Sequence, residues 1–264
     1  CGFTIKTEVK FLPIAGITGQ NVLVEVSSEV CPWWKRMHST GLHNTTTPTL
    51  FSTFDALNFK GRDPNAHVRM PVLDRFFERG VMVMGKIESG TIRVGDELFI
   101  APTRKKAKVE LIMINDDSVR SAKPGENVTV KFALNVEDFQ KGFVLCSTVK
   151  PCRAVLEFKV QIALIDLLEH RPIFSTGYDA VMHCHTAEVE VSCKQLCHVI
   201  DEKTGKNIRR PFAKQGQQCV VLLSTTLSTC CELYDEFPAL GRVTLRDEGR
   251  TIAIGKVIEI VRAL

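Results

Sequence analysis

The stretch Leu240-Gly-Arg-Val-Thr-Leu-Arg-Asp-Glu-Gly-Arg-Thr-Ile-Ala-Ile-Gly-Lys-Val-Ile-Glu-Ile260 decides the fold of this chain. Val243 and Leu245 alternate with polar residues, which is the period-two pattern of a half-buried β-strand. Asp247–Gly249 supply turn chemistry, and a β-branched run resumes at Ile252. The pattern predicts a β-hairpin that ends a barrel or sandwich. It does not decide which residues face outward, because a one-residue slip in register reverses the two faces.

The composition is that of a globular protein. The 264 residues are 44% hydrophobic and 24% charged, which excludes a mainly disordered chain and allows two domains with separate cores. A net charge of +4 permits a nucleic-acid surface without requiring one. The absence of a secretory signal and of a long apolar run predicts a cytoplasmic protein with no membrane contact. The ten cysteines lack the spacing of a secreted disulfide framework and are expected to be buried thiols.

Short strand-like runs separated by Gly- and Asp-containing turns fill residues 67–150. Regular short strands of this kind favour a closed barrel, which leaves no exposed sheet edge. A second segment, 151–264, holds longer runs and ends in the hairpin described above. The runs of the first segment are Val68–Asp74, Val81–Ile87, Glu97–Ile100, Ala107–Met113, Asn127–Phe132 and Gly142–Cys146.

The residues before the first barrel have a different character. Val9–Ile14 predicts a short strand that leads into a glycine-punctuated loop. Residues 31–66 are rich in Thr, Asn, His and Pro and are interpreted as a linker. One apolar cluster within it, Leu50 to Leu57, has the spacing of a short helix face.

Several motifs resemble those of one family of translational GTPases. The string from Gly241 to Lys256 resembles the final hairpin of the eukaryotic GTP-binding peptide chain release factors. Gly-Tyr-Asp-Ala-Val-Met-His-Cys-His-Thr, residues 177–186, resembles their third domain. Lys86–Ile92, Pro124–Val128 and Gly142–Cys146 resemble the second domain of translational GTPases. These motifs occur in the order found in the family.

The resemblance implies a mainly β fold with two consecutive β-barrel domains, translational GTPase domains 2 and 3. They would occupy residues 67–150 and 151–264, after the tail of an α/β G domain at 1–30 and the linker at 31–66. It also implies a role in translation termination, in which the barrels bind the ribosome and the class I release factor that reads the stop codon. The chain would then be a monomer or part of a heterodimer.

Two neighbouring functions remain open alternatives. A ribosome-rescue GTPase or an aminoacyl-tRNA elongation factor would share both barrels. The sequence Asp247-Glu-Gly after Thr-Leu-Arg favours termination. Alternatives of another class are a zinc-binding or a nucleic-acid-binding β module.

The nucleotide motifs are incomplete in this sequence. Phe11–Asn21 resembles the last guanine-binding loop of translational GTPases, with Ala15, Gly16 and Ile17 at the position of the base-closing tripeptide. The Ser of the family is Ala15 here, so only backbone contacts to the base could remain.

A second apparent nucleotide-binding motif lacks a residue that a P-loop requires. Gly80–Lys86 fits the pattern G-x-x-x-x-G-K, but Ile87 stands where a P-loop needs Ser or Thr for magnesium. Val81–Met84 is instead predicted to be a buried strand. The sequence has no other P-loop and no Asn-Lys-x-Asp motif. We therefore expect no catalytic residue and no cofactor in this chain, whereas the resemblance implies GTP and Mg in the intact family protein.

A group of His and Cys residues suggests a zinc site. It comprises His183-Cys184-His185 and Cys193 with Cys197-His198. The spacing lacks the paired C-x2-C regularity of structural zinc sites. On a strand, His183 and His185 would share one face while Cys184 points to the other. We therefore expect no bound metal.

Two basic runs are candidates for contact with ribosomal RNA phosphate. Arg104, Lys105, Lys106 and Lys108 lie at a turn of the first barrel. Arg209 and Arg210 lie in a loop of the second barrel with Lys203, Lys206 and Lys214. Clustered Lys and Arg suit phosphate binding without base readout, although solvated turns have the same composition.

The closing hairpin supplies the candidate protein-binding residues. Arg242, Thr244, Arg246 and Asp247 offer hydrogen bonds to a protein partner. Leu245 or Val243 would be an apolar anchor if either faces outward. Phe212 lies within the second basic run, and an aromatic residue beside Arg is typical of protein interfaces.

Overall fold

The computed structural model describes residues 9–27, 29–34, 48–57, 62–201 and 204–264. Over these ranges no helix is both long enough and apolar enough to cross a membrane. The chain divides into two compact units, residues 1–60 and residues 61–264.

A short helix in the first unit has a clear sequence signal. Helix α1 spans Leu50–Asp55 and begins at Thr49, whose hydroxyl accepts from the Ser52 N–H at 3.1 Å. The Ser52 hydroxyl in turn accepts from the Thr49 N–H at 2.8 Å, which completes a capping box. The helix predicted from apolar spacing is confirmed. A small core of the same unit consists of Val26, Cys31 and Trp34.

The first part of the second unit is a closed six-stranded β-barrel. The strands of this part are β1 (Arg69–Phe77), β2 (Val81–Lys86), β3 (Ile92–Arg93), β4 (Glu97–Ala101), β5 (Lys105–Ile114), β6 (Asp117–Val119), β7 (Ser121–Ala122), β8 (Asn127–Phe132) and β9 (Val144–Ser147). Six of them form the ring in the order β4, β9, β1, β2, β8 and β5, and β5 pairs with β4 to close it. All six predicted runs coincide with strands of this ring, and a 3-10 turn at Val136–Asp138 precedes the last of them.

Alternation along the strands builds the core of this barrel. In β8 the residues Val128, Val130 and Phe132 point inward, whereas the residues between them are half-exposed. Phe132 stacks on Phe139 with ring centroids 5.1 Å apart. Burying each such side chain contributes roughly 1.5–3 kcal/mol. The segment 81–86 is strand β2, so the prediction of a strand in place of a P-loop is confirmed.

The second part of the unit is another closed six-stranded barrel. Its strands are β10 (Ala154–Leu164), β11 (Ile173–Ser175), β12 (Asp179–Cys184), β13 (Ala187–Ile200), β14 (Asn207–Ile208), β15 (Phe212–Lys214), β16 (Gln218–Cys230), β17 (Arg242–Asp247) and β18 (Arg250–Ala263). The ring order is β12, β17, β18, β10, β16 and β13, and β13 pairs with β12. The predicted closing hairpin is therefore part of the ring. A short helix, α2 (Pro238–Gly241), lies between β16 and β17.

The hairpin turn has the geometry that its residues predict. Asp247 pairs with Arg250, so the loop consists of Glu248 and Gly249. Both have positive φ, 47° and 78°, as in a type I′ turn. Such turns match the right-handed twist of the strands, which explains why a Gly occupies this position.

A buried ion pair joins the two barrels. Arg69 of β1 and Glu232, which follows β16, are 0% and 1% exposed, and their Nη2 and Oε1 atoms lie 2.8 Å apart. The Arg69 guanidinium also lies 4.6 Å from the centre of the Phe237 ring. An apolar cluster beside this pair contains residues of both barrels, among them Val144 and Leu240. The two barrels therefore share a buried junction.

The cysteines behave as small apolar residues. All nine in the described part of the chain are free thiols, and eight of these are buried. Burial raises the pKa of Cys184, Cys193 and Cys219 to about 12, so these thiols stay protonated at neutral pH. The expectation of buried structural thiols is confirmed for these residues.

Candidate functional site

The register of the closing hairpin settles which residues face outward. Val243 and Leu245 are 3% and 1% exposed and belong to the barrel core. The suggestion that either forms an exposed apolar anchor, and with it the selection of Leu245 as a partner-binding residue, is therefore wrong. The physical reason is the pairing with β12, which sets Leu245 opposite the buried Met182. Arg242 is exposed on the outer wall.

Asp247 is already engaged inside the protein. Its Oδ2 accepts a hydrogen bond of 2.8 Å from the Tyr178 hydroxyl and one of 3.0 Å from Arg171 Nη1. Burial of the phenol and its bond to this carboxylate raise the pKa of Tyr178. Tyr178 in turn stacks on Phe174, with ring centroids 4.7 Å apart. Asp247 therefore orders the loop around Tyr178 before any partner arrives.

Arg246 has both an internal and an external role. Its Nη2 donates to the Gly249 carbonyl at 2.6 Å and so fastens the turn. The same side chain lines a groove of about 480 Å³, together with Val181 and the carboxylate of Glu190. We call this the hydroxyl groove, because its wall also carries Ser192, Ser224, Thr225 and Thr226.

Arg242 and Thr244 line a different groove, on the other side of the hairpin. This groove has a volume of about 470 Å³, and we call it the Tyr234 groove. Its remaining polar side chains are Lys256, Tyr234, Gln161 and Gln218. The four predicted hairpin residues that are not in the core are thus divided between two grooves.

Phe212 lies on a different sheet from the closing hairpin. It lies on β15, which pairs with β11 in a separate two-stranded sheet. The ring is 37% exposed, and Lys214 Nζ lies 5.9 Å from its centre. Phe212 lines neither the hydroxyl groove nor the Tyr234 groove. Its proposed role in partner binding stays a prediction.

The first basic run is partly neutralised. Lys105 Nζ lies 2.7 Å from Asp138, and the hydrogen bond from Lys105 lowers the pKa of that carboxyl. Lys106 pairs with Glu97 at 3.1 Å, and Lys108 lies directly opposite Glu97 in the sheet. Arg104 occupies the turn itself with a φ of 57°. All four are exposed, but two already have a carboxylate partner.

The positive charge of the second basic run is less neutralised by carboxylates. Arg209 and Arg210 lie exposed between β14 and β15, and Lys206, just before β14, and Lys214, at the end of β15, are also exposed. Within the described ranges, no carboxylate forms an ion pair with these four cations. Lys203 lies outside the described residues. This loop therefore presents the stronger positive charge of the two runs.

The loop that resembles a guanine-binding segment is a tight turn in the first unit. The Ala15 N–H donates to the Gln20 carbonyl at 3.2 Å, which closes the turn over Gly16 and Ile17. Ile17 is fully exposed. The buried Asn21 holds the base of the loop by donating to the Pro13 carbonyl at 2.9 Å. Contact of this turn with a nucleotide stays a prediction.

The His and Cys residues are arranged differently from the predicted strand. Strand β12 ends at Cys184, and His185 adopts a φ of 46° in the following turn. The expectation that His183 and His185 share one strand face is therefore wrong. His185 Nε2 donates to the Cys230 carbonyl at 2.8 Å, and burial lowers the pKa of its ring. Across the described residues, no three His, Cys, Asp or Glu side chains come together as a metal site.

Sequence reasoning missed the charged pair at the barrel junction. Arg69 interrupts the apolar run Val68-Arg-Met-Pro-Val, and Glu232 directly follows the buried Cys230-Cys231. A charged residue inside a buried run is the available signal, since such residues are rarely buried unless paired. The partner could not be named, because the two residues are 163 positions apart.

Comparison with known families matches each barrel separately. The family model for Elongation factor Tu domain 2 matches residues 80–146. The family model GTP-eEF1A C-terminal domain-like matches residues 157–258.

Curated relatives match along nearly the whole chain. The eukaryotic peptide chain release factor GTP-binding subunit of Schizosaccharomyces pombe is 35% identical over 262 residues, covering 98% of this chain and 38% of that protein. The subunit of Kluyveromyces lactis is 35% identical over 264 residues, covering 98% of this chain and 36% of that protein. The chain thus spans little more than a third of the length of these relatives.

Solved structures agree with this relationship. Sup35 complexed with GDP superposes with a TM-score of 0.72 at 34% identity, covering 98% of this chain and 61% of that one. Sup35 complexed with GMPPNP gives a TM-score of 0.72 at 35% identity, covering 97% and 60%.

Proposed function

The chain belongs to the family of eukaryotic peptide chain release factor GTP-binding subunits, and we propose that it acts in translation termination by binding the class I release factor. The observation that carries this proposal is the outer surface of the closing hairpin. There, Arg246 lines the hydroxyl groove, and Arg242 and Thr244 line the Tyr234 groove, all on the wall of a closed barrel. Directed polar groups on a preorganised wall suit protein recognition, because little side-chain or backbone entropy is lost on binding.

The internal bonds of the hairpin support this role. Asp247 is bonded to Tyr178 and Arg171, and Arg246 is bonded to the turn carbonyl of Gly249. These bonds fix the ends of β17 and β18, so that the guanidinium of Arg246 is held at the edge of the hydroxyl groove. Arg242 and Thr244 complete the surface on the other side. We assign the apolar side chains of β17 a purely structural role.

The remaining predictions belong to the same proposal. The exposed Arg209 and Arg210 would contact ribosomal RNA phosphate, with Arg104 and Lys108 as a second contact. We assign residues 1–30 to the tail of a G domain, 31–66 to a linker, and 67–150 and 151–264 to domains 2 and 3. In that arrangement the turn at Ala15–Ile17 would close over the guanine base of a GTP held with Mg by the remainder of a G domain. Such a protein would work in the cytoplasm.

Calorimetric titration of the chain with the class I release factor of the same organism tests the proposal. Thr244→Val removes one hydroxyl at nearly constant volume, and Arg246→Ala removes the groove-lining cation. Each is expected to weaken binding by about 1 kcal/mol or more if the hairpin lies in the interface. Thermal unfolding must show that the Arg246→Ala variant keeps its fold, since Arg246 also fastens the turn.

Arg250→Ala is the matched control. Arg250 lies in the same hairpin, is exposed, and lines neither groove, so its loss should leave the affinity unchanged. No binding of the class I factor at about 50 μM would contradict the proposal and favour a rescue or elongation function.

A further inference from the structure

We propose that the Tyr234 groove binds a carboxylate-rich peptide segment of a protein partner. The groove is built from the outer faces of β10, β17 and β18 and from the loop that carries Tyr234. Only the assignment of the partner as the class I release factor rests on the proposed function. The recognition chemistry rests on the groove itself.

Two uncompensated cations define the groove. Arg242 and Lys256 are directly opposite each other in the β17–β18 ladder. Like charges at such positions destabilise a sheet. No Asp or Glu is among the residues that line the groove. Neither cation has an ion-pair partner within the described ranges.

Other lysines on the same barrel, in contrast, form ion pairs with glutamates. On β10, two residues from Gln161 of the groove, Lys159 pairs with Glu259 at 2.9 Å. On β13, Lys194 pairs with Glu157 at 2.7 Å. Glutamates on the barrel wall therefore neutralise these two lysines, whereas no carboxylate lines the groove. An anionic ligand would relieve the repulsion between Arg242 and Lys256.

Tyr234 holds the two cations in place. The guanidinium of Arg242 lies 5.8 Å from the ring centre, and Lys256 Nζ lies 5.7 Å from it. Contacts of this type attract each cation to the electron-rich face of the ring. The loop is fixed to the barrel, because the Tyr234 N–H donates to the Val257 carbonyl at 3.0 Å. The cations are thereby positioned before a ligand binds.

Two glycines make the groove possible. A Cβ on Gly255 would lie 2.5 Å from the Gln161 carbonyl oxygen, so only Gly lets β18 approach β10 at the floor of the groove. A Cβ on Gly241 would lie 2.5 Å from the Cα of Tyr234. Any side chain at Gly241 would therefore push Tyr234 away from its position beside the two cations.

The other lining groups favour a peptide over RNA. Thr244, Gln161 and Gln218 offer hydrogen bonds suited to peptide amides and carboxylates. Ile254, half-exposed at the groove wall, offers an apolar contact. The Tyr234 ring is already in contact with two cations, so it is not a free stacking surface for a base. Such a groove fits acidic side chains interspersed with an apolar residue.

The test uses synthetic probes and the 264-residue chain. Acetylated hexaglutamate, the matched hexaglutamine and the RNA hexauridylate are titrated at low salt, with NMR detection of the Ile254 methyl and Arg242 Nε signals. We expect hexaglutamate to shift both signals and hexaglutamine to shift neither. Arg242→Gln and Lys256→Gln should each lower the affinity for hexaglutamate about tenfold, since each removes one charge-assisted contact. The control Arg250→Gln removes the same charge outside the groove and should change the affinity less than about twofold.

Three results would overturn the inference. They are binding of hexaglutamate that is insensitive to both groove variants, no shift of the two signals, and tighter binding of hexauridylate than of hexaglutamate at the same residues. The last would identify the groove as an RNA-phosphate site. A groove that binds hexaglutamate as expected while the class I factor fails to bind would refute the proposed function alone. Binding of that factor without any response of the groove would refute the assignment of the class I factor as the partner of this groove.

Discussion

Replacing Arg69 by alanine should destabilise the junction of the two barrels severely. The side chain is fully buried and donates to Glu232 Oε1 from both Nε and Nη2, at 3.2 and 2.8 Å. Its Nη1 donates to the carbonyls of Val68 and Lys150, each at 2.9 Å. Without it, Arg153, at 3.5 Å, is the one ion-pair partner that Glu232 keeps among the described residues. Breaking a buried pair from one side costs about 3–5 kcal/mol, because the remaining charge stays buried.

Thermal unfolding followed by circular dichroism measures this loss. For a unit of this size, about 1 kcal/mol corresponds to roughly 2–4 °C, so we expect Tm to fall by about 6–20 °C. The control is Lys106→Ala. Its ion pair with Glu97 is exposed, with side chains 60% and 56% accessible, and such pairs contribute at most about 1 kcal/mol.

A double variant distinguishes the lost charge balance from lost packing. Arg69→Met with Glu232→Leu removes both charges and keeps apolar volume, so it should recover much of the stability. A cost below about 1 kcal/mol for Arg69→Ala would refute the account of the junction. So would a double variant less stable than the single one.

Three further predictions concern pH, backbone geometry and RNA binding. Burial lowers the pKa of His185 below its unfolded value of 6.5, so the unfolded state takes up this proton first as the pH falls. The free energy of unfolding should therefore decline below about pH 6.5, by up to about 1.4 kcal/mol per pH unit for this group. Urea titrations of His185→Gln should show a shallower decline with pH. The same decline in the variant and in the unchanged protein would contradict this role of His185. Gly142→Ala should cost more than Gly95→Ala, by about 1–3 kcal/mol in urea unfolding, because both glycines have positive φ but only at Gly142 would a Cβ meet a neighbour, Ala187 Cα at 2.9 Å. Equal costs would show that the contact is unimportant. Arg209→Gln with Arg210→Gln should reduce the salt slope of single-stranded RNA binding by about 1.4, whereas Lys106→Gln with Lys159→Gln, which removes two cations already paired with Glu, should change it little. If both double variants reduced the salt slope equally, the second basic run would have no special role in RNA binding.

Local sequence signals predicted most of the architecture. The alternation in Asn127–Phe132 coincides with strand β8, because a period of two is the direct consequence of the pleat. The turn at Glu248–Gly249 follows from the tolerance of Gly for positive φ. Signals of this kind act within a few residues and need no knowledge of the partner strand.

The features that the sequence alone did not predict depend on contacts between residues that are far apart in the chain. The faces of the hairpin depend on pairing with β12, which lies more than fifty positions earlier and directs Leu245 inward. The turn at His185 ends a strand that the residue pattern would have continued. The engagement of Asp247 by Tyr178 spans 69 positions. No local pattern reports contacts of this range, so the outward residues could be chosen only once the register was known.

Site-specific photocrosslinking tests the central claim most directly. A benzophenone side chain introduced at Ile254, which is half-exposed, pairs with Thr244 across the hairpin and lines the Tyr234 groove, would stand at the proposed interface. The same probe at Val94, exposed on the first barrel, is the control. We expect irradiation with the class I release factor to give a crosslinked heterodimer from position 254 and none from position 94. Crosslinking from position 94 alone, or equally from both, would contradict the assignment of the closing hairpin as the binding surface.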